Sequence, residues 1–157
     1  QLLVSSSRRT PPEVEERLKQ MLGGHPRCRL LCLVNRNEPG GLEQTAQAIP
    51  CILGLAQVLV VSGDSISMVS EAVAALKPVV SFLPAPRVRR GQAGLPSDGE
   101  TKYHRFLRQL DAQGKVRMVS PEGVGRAVVE AMDGRQSSIS ATMQGGSASG
   151  GVNRQSL

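Results

Sequence analysis

Two short segments of this chain gather groups suited to binding anions. The first is Ser5-Ser6-Ser7-Arg8-Arg9-Thr10, which leads into a helix start at Thr10-Pro11-Pro12-Glu13. A helix N-terminus attracts an anion, and arginine adds a bidentate phosphate donor. The second is Ser62-Gly63-Asp64-Ser65, followed by Ile66-Ser67-Met68-Val69-Ser70-Glu71. Gly63 suits a sharp backbone turn, and Ser65 or Asp64 suits the cap of the helix that must follow. Free N–H groups at that helix start can hold a pyrophosphate. Glu71 falls on the same helix face as Ser67, where a carboxylate can accept hydrogen bonds from ribose hydroxyls. The plainer alternatives are a polar loop before a capped helix and a glutamate facing solvent.

Other chemistry finds little footing. The chain has no Walker lysine loop, no G-x-G-x-x-G and no G-x-S-x-G. His25 and His104 lack a paired nucleophile, and His104 reads as structural or solvated. Cys28, Cys32 and Cys51 are odd in number and make no disulfide framework. Cys28 and Cys32 with His25 could suggest zinc, but a fourth ligand at sensible spacing is missing, so no metal is expected. The three cysteines read as buried, reduced thiols of a cytoplasmic protein.

Apolar runs and turn residues place these segments on elements. Residues 2–4 read as a strand. Thr10 is expected to cap the next helix, with Pro11 in its first turn and Glu13 completing a capping box. Val14, Leu18, Met21 and Leu22 form its stripe, and Gly23-Gly24 ends it. Residues 29–34 are a continuous apolar strand, as expected when both faces are covered. After a turn at Glu38-Pro39-Gly40-Gly41, residues 42–49 read as a helix that Pro50 breaks, with a second short helix following.

Residues 58–61 make a third strand. The helix after it runs to about Leu76, with Ile66, Val69, Val73 and Leu76 buried and Ser67, Ser70, Glu71 and Ala74 opposite. Lys77 and Pro78 close it. Residues 79–82 are a fourth strand, and the Pro-, Gly- and Arg-rich residues 83–101 a long loop. Residues 102–113 form a helix with Tyr103, Phe106, Leu107 and Leu110 inward, and residues 116–119 a fifth strand. Ser120-Pro121 opens the last helix, with Val124, Ala127, Val128, Ala131 and Met132 as its stripe and Gly134 as its end. The expected domain is therefore 1–133, followed by a disordered Ser/Gly-rich tail over 134–157. Alternating buried strands and helices predict an α/β fold: a Rossmann-like parallel sheet of about five strands flanked by helices.

The composition agrees with a globular domain. Of 157 residues, 39% are hydrophobic and 20% charged. Only 2% are aromatic, too few for the stacking platforms of single-strand nucleic-acid binders. The longest largely apolar stretch, 49–61, is interrupted and well short of the ~20 residues of a membrane span. The net charge of +6 is uneven. Residues 84–118 hold Arg87, Arg89, Arg90, Lys102, Arg105, Arg108, Lys115 and Arg117 against Asp98, Glu100 and Asp111. That asymmetry favours an anionic partner, unless it is simply a solvated basic face. No nucleic-acid reader motif accompanies it, so nucleic acid is not expected as the partner. The first strand begins at once after residue 1, as in a piece of a longer chain.

The string Ser62-Gly63-Asp64-Ser65-Ile66-Ser67-Met68-Val69-Ser70-Glu71-Ala72, then Lys77-Pro78-Val79, resembles the signature of the mitochondrial-fission "elongated mitochondria" family. Ser6-Ser7-Arg8-Arg9-Thr10-Pro11 matches before it, and Lys102-x-x-Arg105-Phe106 and Gly114-x-x-Arg117 match after it, in the same order. The likeness covers roughly residues 2–118. The sequence departs from the family pattern at Cys51, where a Tyr often stands, and at Leu107, where a His often stands.

Bacterial members of this family resemble glycosyltransferases. The resemblance therefore implies one half of a GT-B fold: the C-terminal half, which binds the nucleotide of the sugar donor. It implies a site made of Ser7, Arg8, Arg9, Ser62, Gly63, Asp64, Ser65, Ser67, Met68, Glu71, Lys102 and Arg105. Within it the helix start beside Ser65 faces the diphosphate, Glu71 holds the ribose, and Arg8 and Arg9 lie near the phosphates. It assigns the acceptor site and catalytic base to an N-terminal Rossmann half outside this chain, leaving the catalytic residues unknown. The donor is a nucleoside-diphosphate sugar, bound as substrate, and no cofactor is expected. Peripheral contact with an anionic membrane at its inner face would suit Arg87, Arg89 and Arg90, which match no motif. The alternative is a non-catalytic scaffold acting in organelle or membrane division, since plant relatives recruit a dynamin-related partner.

Overall fold

The computed structural model describes residues 1–34, 41–84 and 101–145. The basic triplet Arg87, Arg89 and Arg90, the turn residues Glu38, Pro39 and Gly40 and the end of the Ser/Gly-rich tail lie outside them. The chain forms two compact units, 1–57 and 58–157. Its strands and helices alternate along the sequence as the apolar runs require.

In the first unit β1 (Leu2–Ser5) and β2 (Cys28–Cys32) pair in parallel, joined through α1 (Pro12–Leu22), and α2 (Gly41–Leu55) packs against both strands. The register runs Leu3 to Leu30, Val4 to Leu31 and Ser5 to Cys32. Among the described residues of this unit Val34 is the apolar side chain most fully buried, at 1% exposure.

The second unit holds a parallel sheet in the order β3 (Leu59–Ser62), β4 (Val79–Phe82), β5 (Arg117–Val119). α3 (Ile66–Ala74) packs on β3 and β4, α4 (Lys102–Ala112) on β5, and α5 (Val124–Gly145) on β4 and β5. Its core is aliphatic: Leu59, Val69, Ala72, Val79, Val80, Leu107, Val116 and Ala127 are buried. The hydroxyl of Ser81, fully buried on the central strand, is satisfied by donating to the Val61 carbonyl at 2.9 Å.

Among the described residues there are five strands, all paired in parallel: two in the first unit and three in the second. Periodicity reports that a strand is covered. It does not report which neighbour the strand bonds to.

Several local expectations are corrected. Thr10 does not cap α1. Pro11 takes the N-cap position without a side-chain hydrogen bond, and Thr10 Oγ1 instead accepts from the Ser7 N–H at 3.0 Å. Pro50 does not break its helix. α2 continues through it to Leu55, since a proline inside a helix removes one N–H bond and the neighbouring turns persist. α3 stops at Ala74, so Leu76 is not on its buried stripe. Leu76 adopts a left-handed φ of 54° and is 90% exposed, while Ala72 takes the buried place. Gly134 lies inside α5, which runs on to Gly145 after a single 3-10 turn at Pro121–Gly123. A lone glycine lowers helix propensity by only about 1 kcal/mol, which packing overrides. Met132, expected inward on α5, is 40% exposed.

Candidate functional site

The first hydroxyl-rich segment closes on itself. The Thr10 N–H donates to the Ser7 carbonyl at 2.8 Å, and the Ser7 N–H donates to Thr10 Oγ1. The Arg9 N–H donates to Ser7 Oγ at 3.2 Å. The result is a four-residue turn that presents Ser7, Arg8 and Arg9 at the surface.

Beneath it Ser6 is buried at 6% exposure. Its hydroxyl donates to Glu15 Oε1 at 2.6 Å and accepts from the Val34 N–H at 2.8 Å. Its own N–H continues the β2 ladder by donating to the Cys32 carbonyl at 2.9 Å. One serine thus ties α1 and Val34, two residues beyond β2, to the root of the Arg8-Arg9 turn. In the sequence Ser6 is one hydroxyl among three, and only the fold singles it out.

The helix that follows is a weak anion site on its own. Pro11 and Pro12 have no N–H to offer, and Glu13 and Glu15 already place negative charge on the first turn. Affinity for phosphate at this turn would rest on Arg8 and Arg9.

The second segment differs. It lies at the carboxyl end of β3, where open parallel sheets bind ligands. Ser62 Oγ donates to Asp64 Oδ1 at 2.6 Å, bracing the turn. Ser65 takes the N-cap of α3 with extended backbone (φ −126°, ψ 100°). Its side chain makes no cap bond, and its Oγ lies 3.3 Å from Ser67 Oγ. The first turn of α3 carries no acidic residue and no proline, and the nearby Asp64 carboxylate, one residue before the N-cap, accepts from Ser62 Oγ.

Ser67, Ser70, Glu71 and Ala74 are exposed together, opposite buried Val69 and Ala72, with Met68 half-buried between. Glu71 therefore stands one turn beyond Ser67 on the exposed face.

Gly63 is needed for a reason other than the one its sequence suggests. It is not in the left-handed region. A Cβ built on it would lie 2.3 Å from Leu107 Cδ1 and 3.3 Å from Leu83 Cδ2. Leu107 is fully buried against this turn.

Leu107 belongs to α4, where Thr101 caps by accepting from the His104 N–H at 3.2 Å. Lys102 and Arg105 are exposed on the same helix, with Lys102 Nζ 5.2 Å from the Tyr103 ring centroid. The sequence-predicted residues thus fall into two groups. Ser7, Arg8 and Arg9 belong to the first unit. Ser62, Gly63, Asp64, Ser65, Ser67, Met68, Glu71, Lys102 and Arg105 belong to the second.

A family model described as mitochondrial fission ELM1 matches residues 1–138. The chain belongs to that family. No curated protein and no solved structure matches it.

One string shared with the family has a structural explanation. Gly114 holds the left-handed φ of 65° that ends α4, with its N–H donating to the Asp111 carbonyl at 2.8 Å. Asp111 Oδ1 in turn accepts from the Met118 N–H at 2.9 Å. Arg117 pairs with Glu130, which also accepts from Arg126 at 3.0 Å. These hydrogen bonds, that from Arg117 first, hold the Glu130 carboxyl below its ordinary range.

The remaining chemical residues have modest roles. His25 Nδ1 accepts from the Arg27 N–H at 3.1 Å and so braces the turn into β2. The three cysteines are free; Cys28 and Cys32 are half-buried as strand residues, and Cys51, expected to be buried, is exposed. Among the described residues no three His, Cys, Asp or Glu side chains are grouped to hold a metal, and no helix is long and apolar enough to cross a membrane.

Proposed function

We propose that the chain is the donor-nucleotide-binding half of a nucleotide-sugar glycosyltransferase within the mitochondrial fission ELM1 family. The diphosphate would sit at the N-terminus of α3, and the ribose hydroxyls would donate to Glu71. One observation supports this above the others. At the carboxyl end of β3, α3 opens with an extended N-cap and no acid in its first turn, and it exposes Ser67 and Glu71 on one face. Lys102 and Arg105 would add positive charge for a leaving diphosphate, which favours its departure without proton transfer. For Ser7, Arg8 and Arg9 the reading rests on the family likeness.

The resemblance assigns the acceptor site and base to another half. This chain alone should therefore bind donor without transferring sugar. Calorimetric titration with UDP, GDP, ADP and CMP tests the reading. One of them should bind weakly, and Glu71→Ala should weaken that binding by about 1–3 kcal/mol. A folded protein that gives neither heat nor a thermal shift at millimolar nucleotide would refute it.

A further inference from the structure

We propose that Leu107 is the positioning residue of the Ser62–Ser65 turn, and that Gly63 is glycine because Leu107 fills the space a side chain there would need. The inference rests on the donor-site reading for its functional consequence, but its geometry stands apart from it. Gly63 is buried and has no left-handed φ, so backbone conformation does not explain the residue. Its N–H donates to the Phe82 carbonyl at 2.8 Å, which fixes the turn to the end of β4.

On the other side, a Cβ at residue 63 would meet Leu107 Cδ1 at 2.3 Å and Leu107 Cγ at 3.3 Å. Leu107 has no exposed surface, so its methyl cannot swing away without displacing the core. The turn is therefore clamped between β4 and the inward face of α4. Ser62, Asp64 and Ser65, which flank Gly63, take their places from that clamp. α4 also carries Lys102 and Arg105, five and two residues before Leu107 and exposed on its outer side, so the basic helix and the turn are held as one piece.

The test is a size-exchange cycle in the full chain: Gly63→Ala, Leu107→Val and the two together. Valine removes the atom that clashes at 2.3 Å and keeps most of the apolar volume, which protects the fold better than alanine would. Three measurements are made on each variant: thermal midpoint, amide chemical shifts of Gly63, Asp64 and Ser65, and affinity for whichever of UDP, GDP, ADP or CMP the wild type binds.

Gly63→Ala alone should lower the midpoint, move the turn amides and weaken nucleotide binding at least tenfold. Leu107→Val alone should also move the turn amides, although the residue touches no ligand. The double variant should recover most of the midpoint and most of the affinity, so the two changes are strongly non-additive. Additive losses in midpoint, or turn amides unmoved by Leu107→Val, would overturn the proposal. If the wild type binds no nucleotide, the donor-site reading falls, while midpoints and amide shifts still decide whether Leu107 sets the turn.

Discussion

Replacing Ser6 with alanine should be among the most damaging single-atom deletions in the first unit. The Ser6 hydroxyl donates to Glu15 Oε1 at 2.6 Å and accepts from the Val34 N–H at 2.8 Å. Ser6 and Val34 are buried, at 6% and 1% exposure, so water cannot readily replace the lost oxygen at the Val34 amide. A buried N–H left without an acceptor costs about 1–3 kcal/mol. Glu15 is only half-buried and can rehydrate, so its lost hydroxyl partner adds about 0.5–1 kcal/mol, the ordinary net value of a hydrogen bond. Together these come to about 1.5–4 kcal/mol, a large share of the roughly 5–15 kcal/mol of a typical domain.

Glu15→Gln keeps an acceptor within reach and should cost less than 1 kcal/mol or so. The assay is urea unfolding combined with hydrogen exchange at the Val34 amide, because two units need not unfold together. Ser6→Ala should speed that exchange markedly, and Glu15→Gln should barely change it. A loss below about 0.5 kcal/mol for Ser6→Ala, or equal acceleration by both variants, would refute the assignment of the Ser6 hydroxyl as the acceptor of the Val34 N–H.

Gly114→Ala should destabilise by about 1 kcal/mol, since alanine resists a φ of 65° even with open space around its Cβ; chemical denaturation measures it. The Glu130 carboxyl is held low by Arg117 and Arg126, so its contribution is complete above its ordinary value of 4.5 and fades as pH falls through the lowered one. Glu130→Gln should remove that part of the acid dependence, as read from carboxyl NMR titration alongside thermal melts. Leu76→Gly should leave stability unchanged or raise it by up to about 1 kcal/mol, because relief at a φ of 54° offsets glycine's entropy and a 90% exposed side chain loses no burial. Charge reversal at Arg87, Arg89 and Arg90 should weaken binding to anionic vesicles in a salt-sensitive way and spare nucleotide affinity, checked by vesicle co-sedimentation and calorimetry.

Much of the fold was legible because apolar periodicity is set by burial. The strand expected over 79–82 is β4 itself, and the exposed face expected for α3 carries Ser67, Ser70, Glu71 and Ala74. What was not legible depends on which partner each residue finds in the fold. Thr10 offers a cap, yet its hydroxyl is taken by Ser7 across the turn. Pro50 is a helix breaker by propensity, yet α2 packs on both strands of its unit, and that outweighs one lost bond. Gly63 reads as a turn residue, and only Leu107, more than forty positions away, reveals the close approach. Ser6, Ser7 and Ser5 are indistinguishable as letters, and burial alone makes Ser6 the hub.

The two hydroxyl-rich loops show why spacing alone is an incomplete guide to an anion site. Each follows a strand, each precedes a helix and each matches the family, so the pattern treats them alike. The first turns of their helices differ in charge. α1 begins with two prolines and two glutamates, which remove donors and supply the negative charge its dipole attracts. α3 begins with serines, isoleucine and methionine, and its first turn holds no charge at all. An anion would find competition at α1 and none from an acid in the first turn at α3. The same reasoning divides the later family strings. Gly114 and Arg117 are occupied with closing α4 and pairing β5 to α5, whereas Lys102 and Arg105 stand exposed on a helix that Leu107 anchors to the Gly63 turn. Family likeness selects both pairs equally, and in the fold Gly114 and Arg117 hold structure together while Lys102 and Arg105 are exposed, which is why the proposed donor site draws on the second pair.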